Sequence, residues 1–230
     1  MAKDLYTYDS LSNKLYDELG WRRKELLLVK NFIPTEKNTV QSAMLRAALP
    51  LLYAHWEGFV KLTMSYYLEF VSKRFLKHYK LNTKFIALSL QNKIGDLASA
   101  DFENRVKIID FILNKFNSQS NIPKRNIINT KSNLTFSVLK EILFILDIDS
   151  THIEGKKSLI NDLVDTRNHI AHGEYKILDY GTFLNFYDDV LSLMEFLKTS
   201  IENDATLKKY QVERKDYDNI FDLQLAVAAP

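Results

Sequence analysis

Apolar residues recur every three or four positions along most of this chain, the period of α-helices that bury one face. The longest such run predicts a helix over about 38–79. Its stripe Leu45, Leu49, Leu52, Trp56, Phe59, Thr63, Tyr66 and Phe70 keeps helical spacing throughout. A second stripe lies beside it: Tyr53, Glu57, Val60, Met64, Leu68 and Val71. A helix apolar over so much of its circumference belongs at the centre of a bundle, with a bend expected at Pro50. Ahead of it a first helix is predicted over about 10–33, stopped by Pro34.

Residues 83–99 are mixed in pattern, and a helix is expected over about 101–116. Residues 117–133, rich in Asn, Ser and Lys and carrying Pro123, read as the least ordered part. A short helix over about 134–146 leads to a turn at 147–155, then a helix over about 156–172 and a loop at 173–181. The last long helix, about 182–203, carries the stripe Phe183, Tyr187, Val190, Leu191, Met194, Leu197 and Ile201. The charged tail from 205 ends in Leu225-Ala226-Val227-Ala228-Ala229-Pro230 and reads as a frayed terminus or an expression remnant. With no internal repeat and no clear linker, the prediction is one all-α domain over 1–230, an up-and-down helical bundle with its core at 40–200.

Composition narrows the function. Only six glycines and four prolines interrupt the 230 residues, which suits long helices. The formal net charge of +2 does not mark a general nucleic-acid binder, so any such binding falls to local basic clusters. No cysteine is present, which removes disulfides and thiolate chemistry and suits a reducing compartment. Residues Met1 to Tyr6 lack the charged and apolar blocks of a signal peptide. No uncharged apolar run approaches the ~20 residues needed to cross a bilayer. A soluble cytoplasmic protein is the expectation.

The richest chemistry lies in Arg167-Asn168-His169-Ile170-Ala171-His172-Gly173. On a helix with Ile160 facing the core, Leu163, Val164 and Ala171 share its stripe, and so does Arg167. A guanidinium in an apolar arc needs an acid partner or an opening onto a site. Asn168, His169 and His172 project from other faces, where Gly173 supplies a helix stop. Glu57, on the second stripe of the central helix, is the carboxylate expected to pair with Arg167. On an unbroken helix, residues five apart point about 140° apart, so Arg167 and His172 would not address one phosphate. Either the helix unwinds before Gly173 or two protomers bring their motifs together.

Arg167, four intervening residues and His172, with a polar residue directly after the arginine, resemble the Arg-x(4–6)-His motif of the HEPN superfamily. Its placement between the penultimate and last long helices of a bundle is similar too. The stretch from Leu49 to Phe59, with His55, Trp56 and Glu57, looks like the first long helix of small stand-alone bacterial HEPN proteins. The resemblance covers residues 40–200. It implies a four-helix core with additional helices, and a metal-independent, cofactor-free endoribonuclease that is usually a homodimer with a composite active site. It further implies the toxic half of a toxin–antitoxin or phage-defence system, with an antitoxin or defence protein as partner. Arg167 and His172 take the catalytic positions, supported by Asn168, His169 and Glu57. Some members carry a tyrosine two residues after the motif histidine that a partner nucleotidyltransferase modifies. Here Tyr175 stands three residues on, a departure that leaves that control without its usual target.

The residue types suit that chemistry. RNA cleavage by its own 2′-hydroxyl needs a proton acceptor, a proton donor and a cation beside the developing phosphorane. Imidazole can take either proton role, and guanidinium matches phosphate oxygens bidentately. Lys73, Arg74 and Lys77, and Lys124 with Arg125, are candidate RNA contacts set against the plainer reading of solvated helix ends. His169-x-x-His172 has ligand spacing for zinc, but no third ligand beyond Asp165 or Glu174 offers itself, so no metal is expected. The rival function is a non-catalytic bundle that binds RNA, a nucleotide or a protein.

Overall fold

The computed structural model describes residues 7–214, and all of its regular elements are helical. Helix α1 (Tyr8–Phe32) starts at Thr7, whose hydroxyl accepts from the Ser10 amide, and stops at Ile33 ahead of Pro34. Helix α2 (Thr39–Ser72) starts at Asn38, whose side chain accepts from the Gln41 amide, and it continues through Pro50. There follow α3 (Thr83–Ser99), α4 (Phe102–Lys115), α5 (Phe136–Ile145), α6 (Lys157–Ala171) and α7 (Tyr180–Thr206). Short 3₁₀ turns occupy His78–Lys80 and Thr151–Lys156. Among the described residues no helix is long and apolar enough to cross a membrane.

Helices α1, α2 and α7 pack on one another, and α6 lies against α2. Both predicted stripes of α2 are buried except Glu57 and Tyr66, which are half-buried, so the helix is central as its pattern demands. Trp56, Phe59, Leu49, Leu52 and Met64 are fully enclosed. At roughly 2 kcal/mol for each such side chain, this packing outweighs the weak helix preference of the aromatic and β-branched residues in the same run.

Three expectations need correction. Helix α2 ends at Ser72, not near 79, because Phe75 takes a left-handed conformation (φ 51°) that no helix accommodates. The mixed segment 83–99 is helix α3, started by Asn82, whose side chain accepts from the Phe85 amide. The tail does not fray at 205. Tyr210 is buried, its carbonyl accepts from the Asn82 amide at 2.9 Å, and Arg214 donates to the Tyr79 and Leu81 carbonyls at 2.6 and 2.9 Å. The end sequence 225–230 and the N-terminal residues 1–6 lie outside the described residues.

Helices α3 and α4 form a hairpin, and α4 touches the rest of the described chain chiefly through α3. The irregular segment 116–135 links this hairpin to α5 and runs along the bundle. Its Ile122, Ile128 and Leu134 are buried, so it is fixed by packing although it has no regular hydrogen-bond ladder.

Candidate active site

Helix α6 ends in a Schellman motif. The Gly173 amide donates to Ile170 (3.1 Å), the Glu174 amide donates to His169 (2.9 Å), and Gly173 sits at φ 79°, where a side chain would be strained. The His172 amide still donates to the Asn168 carbonyl at 3.0 Å, so the helix does not unwind before the histidine. Arg167 and His172 therefore keep their helical divergence within one chain. Ile160, Leu163 and Val164 are buried as expected, but Ala171 is exposed: α6 outruns the bundle by its last turn.

Arg167 reaches back to α2. Its guanidinium carbon lies over the Tyr53 ring at 4.0 Å from the centroid, and Nη2 is 4.0 Å from Glu57 Oε2. Nη2 also donates to the Ser132 carbonyl across a long 3.4 Å. The arginine and Glu57 side chains are 20% and 23% exposed, so the pair is half-buried, as its position on the apolar arc requires. Arg167 Nε is buried without a hydrogen-bond partner, and so is Asn133 Oδ1, next to Ser132 in the loop. Nε is enclosed, so an additional acceptor would have to meet the outer guanidinium nitrogens, where the contacts of Nη2 to Glu57 and Ser132 are both long.

Tyr53 supplies the platform. Its hydroxyl accepts from the Leu134 amide at 2.7 Å, which pins the 130s loop to α2, and burial pushes its pKa upward. Loop 116–135 is further fixed at its far end, where the Phe136 amide donates to Asn161 of α6 at 3.0 Å. Neither Tyr53 nor Ser132 stands out in the sequence as part of a site. For Tyr53 the signal is its i, i+4 placement with Glu57 on one helix face; Ser132 has none.

His172 is exposed at the helix cap, and no hydrogen bond or ion pair of its ring is found among the described residues. Asn168 is half-buried. His169 turns to its own helix end: Nδ1 is 2.8 Å from the Asp165 carbonyl, and Nε2 is 3.5 Å from Glu174 Oε2. The structure thus brings Arg167 to Glu57 but leaves both histidines apart from the arginine. Among the described residues, no group of three or more His, Asp or Glu side chains is placed to hold a metal ion.

The basic candidates lie elsewhere on the bundle. Lys73 is largely buried and paired with Glu69 at 3.0 Å, and Arg74 caps its own helix by donating to the Phe70 carbonyl. Lys77 donates to Asn117 at 3.0 Å, while Lys124 and Arg125 are exposed on the irregular segment.

A second polar cluster, between α1 and α2, carries no motif. Arg22 is 4% exposed, bonded to Glu18 and laid over the Trp21 ring at 4.3 Å. His55 is buried beside it, with Nε2 2.8 Å from Glu25 but off the line a hydrogen bond needs. Burial pushes the His55 pKa down, against the pull of Glu25. Burial and Glu18, which accepts from the Tyr66 hydroxyl at 3.1 Å, push Tyr66 up to about 12.

Comparison with curated proteins and with solved structures returns no match for this chain. Residues 17–203, which run from within α1 to near the end of α7 and include the whole of the Arg167–His172 motif, match the family described as RiboL-PSP-HEPN, and the chain belongs to that HEPN family.

Proposed function

We propose that this chain is a metal-independent endoribonuclease that cuts RNA by attack of the 2′-hydroxyl, working as a homodimer. We further propose that it is the toxin of a toxin–antitoxin or phage-defence system. HEPN domains form an RNase-like or RNA-binding family. The observation that carries it is the state of Arg167. It is a half-buried guanidinium whose ion pair with Glu57 is long, laid over Tyr53 on the same helix end that presents an unengaged imidazole at His172.

In this mechanism the 2′-oxygen attacks phosphorus while a histidine takes its proton. The bond from phosphorus to the 5′-oxygen breaks, and that oxygen takes a proton from a second histidine. The products are a 2′,3′-cyclic phosphate and a 5′-hydroxyl. Arg167 stabilises the charge on the phosphorane oxygens. One protomer offers one motif histidine, and its arginine points elsewhere, so two motifs facing across a twofold axis supply what one lacks. The exposed side of α2 supports such a pairing. Ala43, Ala47 and Ala54 follow one another there beside Glu57, and Ala171, Tyr175 and Ile177 are exposed next to the motif. His169 and Asn168 take supporting places at the helix end, and Glu57 orients Arg167.

Expression in a bacterial host tests the reading. The chain should arrest growth, and Arg167→Ala or His172→Ala should relieve the arrest. Arrest that persists in both variants would leave a non-catalytic binding module in its place.

A further inference from the structure

At the root of the α3–α4 hairpin, away from the motif, lies an open recess of about 290 Å³. Its floor is already satisfied. The His78 Nδ1 lies 2.9 Å from the Ser118 carbonyl, which can only accept, so that nitrogen carries the proton. Nε2 then accepts from the Ser89 hydroxyl at 3.0 Å, and Ser89 Oγ accepts from the Asn121 amide at 3.1 Å. A buried histidine, 3% exposed, thus shapes the floor and keeps no free valence for chemistry.

The rim is different. Phe111 lines the recess from α4, 38% exposed, although α4 buries no residue of its own. The ammonium groups of Lys93 and Lys115 lie 5.6 and 5.5 Å from its ring centroid. Lys115 makes no ion pair among the described residues, and Lys93 has only an exposed Asp96 at 3.6 Å. The exposed side-chain amides of Asn92 and Gln119 complete the edge. An aromatic face between two cations, bordered by groups that both donate and accept, is the arrangement that holds a base and its phosphates in single-stranded nucleic acid.

We propose that this recess binds single-stranded RNA, stacking a base on Phe111 and holding adjacent phosphates on Lys93 and Lys115. The choice of RNA rests on the ribonuclease reading; the recess itself stands on the geometry above. One irregular segment joins the two places. It leaves the recess at Gln119 and Asn121, passes the exposed Lys124 and Arg125, and reaches Ser132, whose carbonyl accepts from Arg167. The recess therefore acts as an anchoring subsite for the strand whose cleavage occurs at the motif.

The test uses the intact chain and a short, labelled 2′-O-methyl oligoribonucleotide, which has no 2′-hydroxyl to attack and so reports binding alone. Phe111→Leu keeps an apolar contact to α3 and should weaken binding roughly 10-fold, while Phe111→Trp should hold or improve it. Lys93→Ala with Lys115→Ala should weaken binding and lower the slope of log affinity against log salt by about 1.4. Equal affinity for Phe111→Leu and the unaltered chain, or no binding by the unaltered chain at all, overturns the proposal. Cleavage of ordinary RNA, measured separately, judges the ribonuclease reading: binding that depends on Phe111 without any cleavage would keep this subsite and remove that reading.

Discussion

The guanidinium of Arg167 lies over the ring of Tyr53, 4.0 Å from its centroid, with Glu57 one turn further along the same helix at 4.0 Å. The ring supports the guanidinium from one side, while the contacts of Nη2 to Glu57 and Ser132 are long. A lysine cannot reproduce either feature, since a point charge has no plane to stack and no fork to offer. Arg167→Lys should therefore lose about 10²-fold or more in cleavage, close to the loss in Arg167→Ala. The melting temperature of Arg167→Lys should stay near that of the unaltered chain, and that of Arg167→Ala should fall by a few degrees at most, since it breaks the pair with Glu57 without unfolding the bundle. Cleavage by Arg167→Lys within a few-fold of normal would assign the arginine to long-range charge alone.

Glu57→Ala should act on both axes. It leaves the half-buried guanidinium without its acid, yet Tyr53 and the Ser132 carbonyl remain, and the pair is long. The expected loss is about 1 kcal/mol, a fall of roughly 2–4 °C in Tm for a chain of this size, with reduced cleavage. An unchanged Tm together with normal cleavage would show that Glu57 does not position Arg167.

The buried His55 makes stability depend on pH in a definite direction. Its folded pKa lies below the ordinary value of about 6.5, so near and below that pH the unfolded chain binds more protons. Stability is then complete above about pH 6.5 and declines as the pH falls below it, because burial beside Arg22 and Trp21 resists the charged ring. Thermal melts between about pH 7.5 and 5.5 should show a falling Tm that His55→Gln flattens. The same slope in the variant would place the dependence elsewhere.

Much of the architecture is written in the period of apolar residues. The stripes of α2 and α7 predict their buried faces almost residue by residue, because a helix between neighbours must be apolar wherever it touches them. The end of α2 is not legible, since Lys73 to Tyr79 carries the helical pattern forward without a glycine or proline, and only the backbone at Phe75 breaks it. Helix α3 is obscured because much of its surface is open and its partner α4 is itself exposed, so its pattern is weak. Within the site, the pairing of Arg167 and Glu57 follows from an awkward cation and an awkward acid. The part played by Tyr53 depends on the 116–135 loop crossing α2 through the Leu134 amide, a tertiary contact that no local pattern encodes.

A composite site makes a prediction about mixtures. Arg167→Ala and His172→Ala should each be inactive alone. Exchanged in excess into the unaltered chain, His172→Ala should poison it, because a mixed pair holds one motif histidine where the two proton transfers need two. Cleavage in simple proportion to the unaltered chain present would place both groups on one protomer, against the divergence imposed by the unbroken end of α6. Sedimentation of the unaltered chain as a strict monomer at micromolar concentration would count the same way.

The decisive measurement is cleavage of end-labelled RNA by the purified chain in excess EDTA, compared across the unaltered protein, Arg167→Ala and His172→Ala. EDTA-insensitive cutting that leaves 2′,3′-cyclic phosphate ends is expected, with a loss of roughly 10²-fold or more in each variant while each keeps its helical spectrum and a cooperative melt. Normal cutting by His172→Ala, together with unfolding of Arg167→Ala, would contradict this and make the motif a structural element of the bundle.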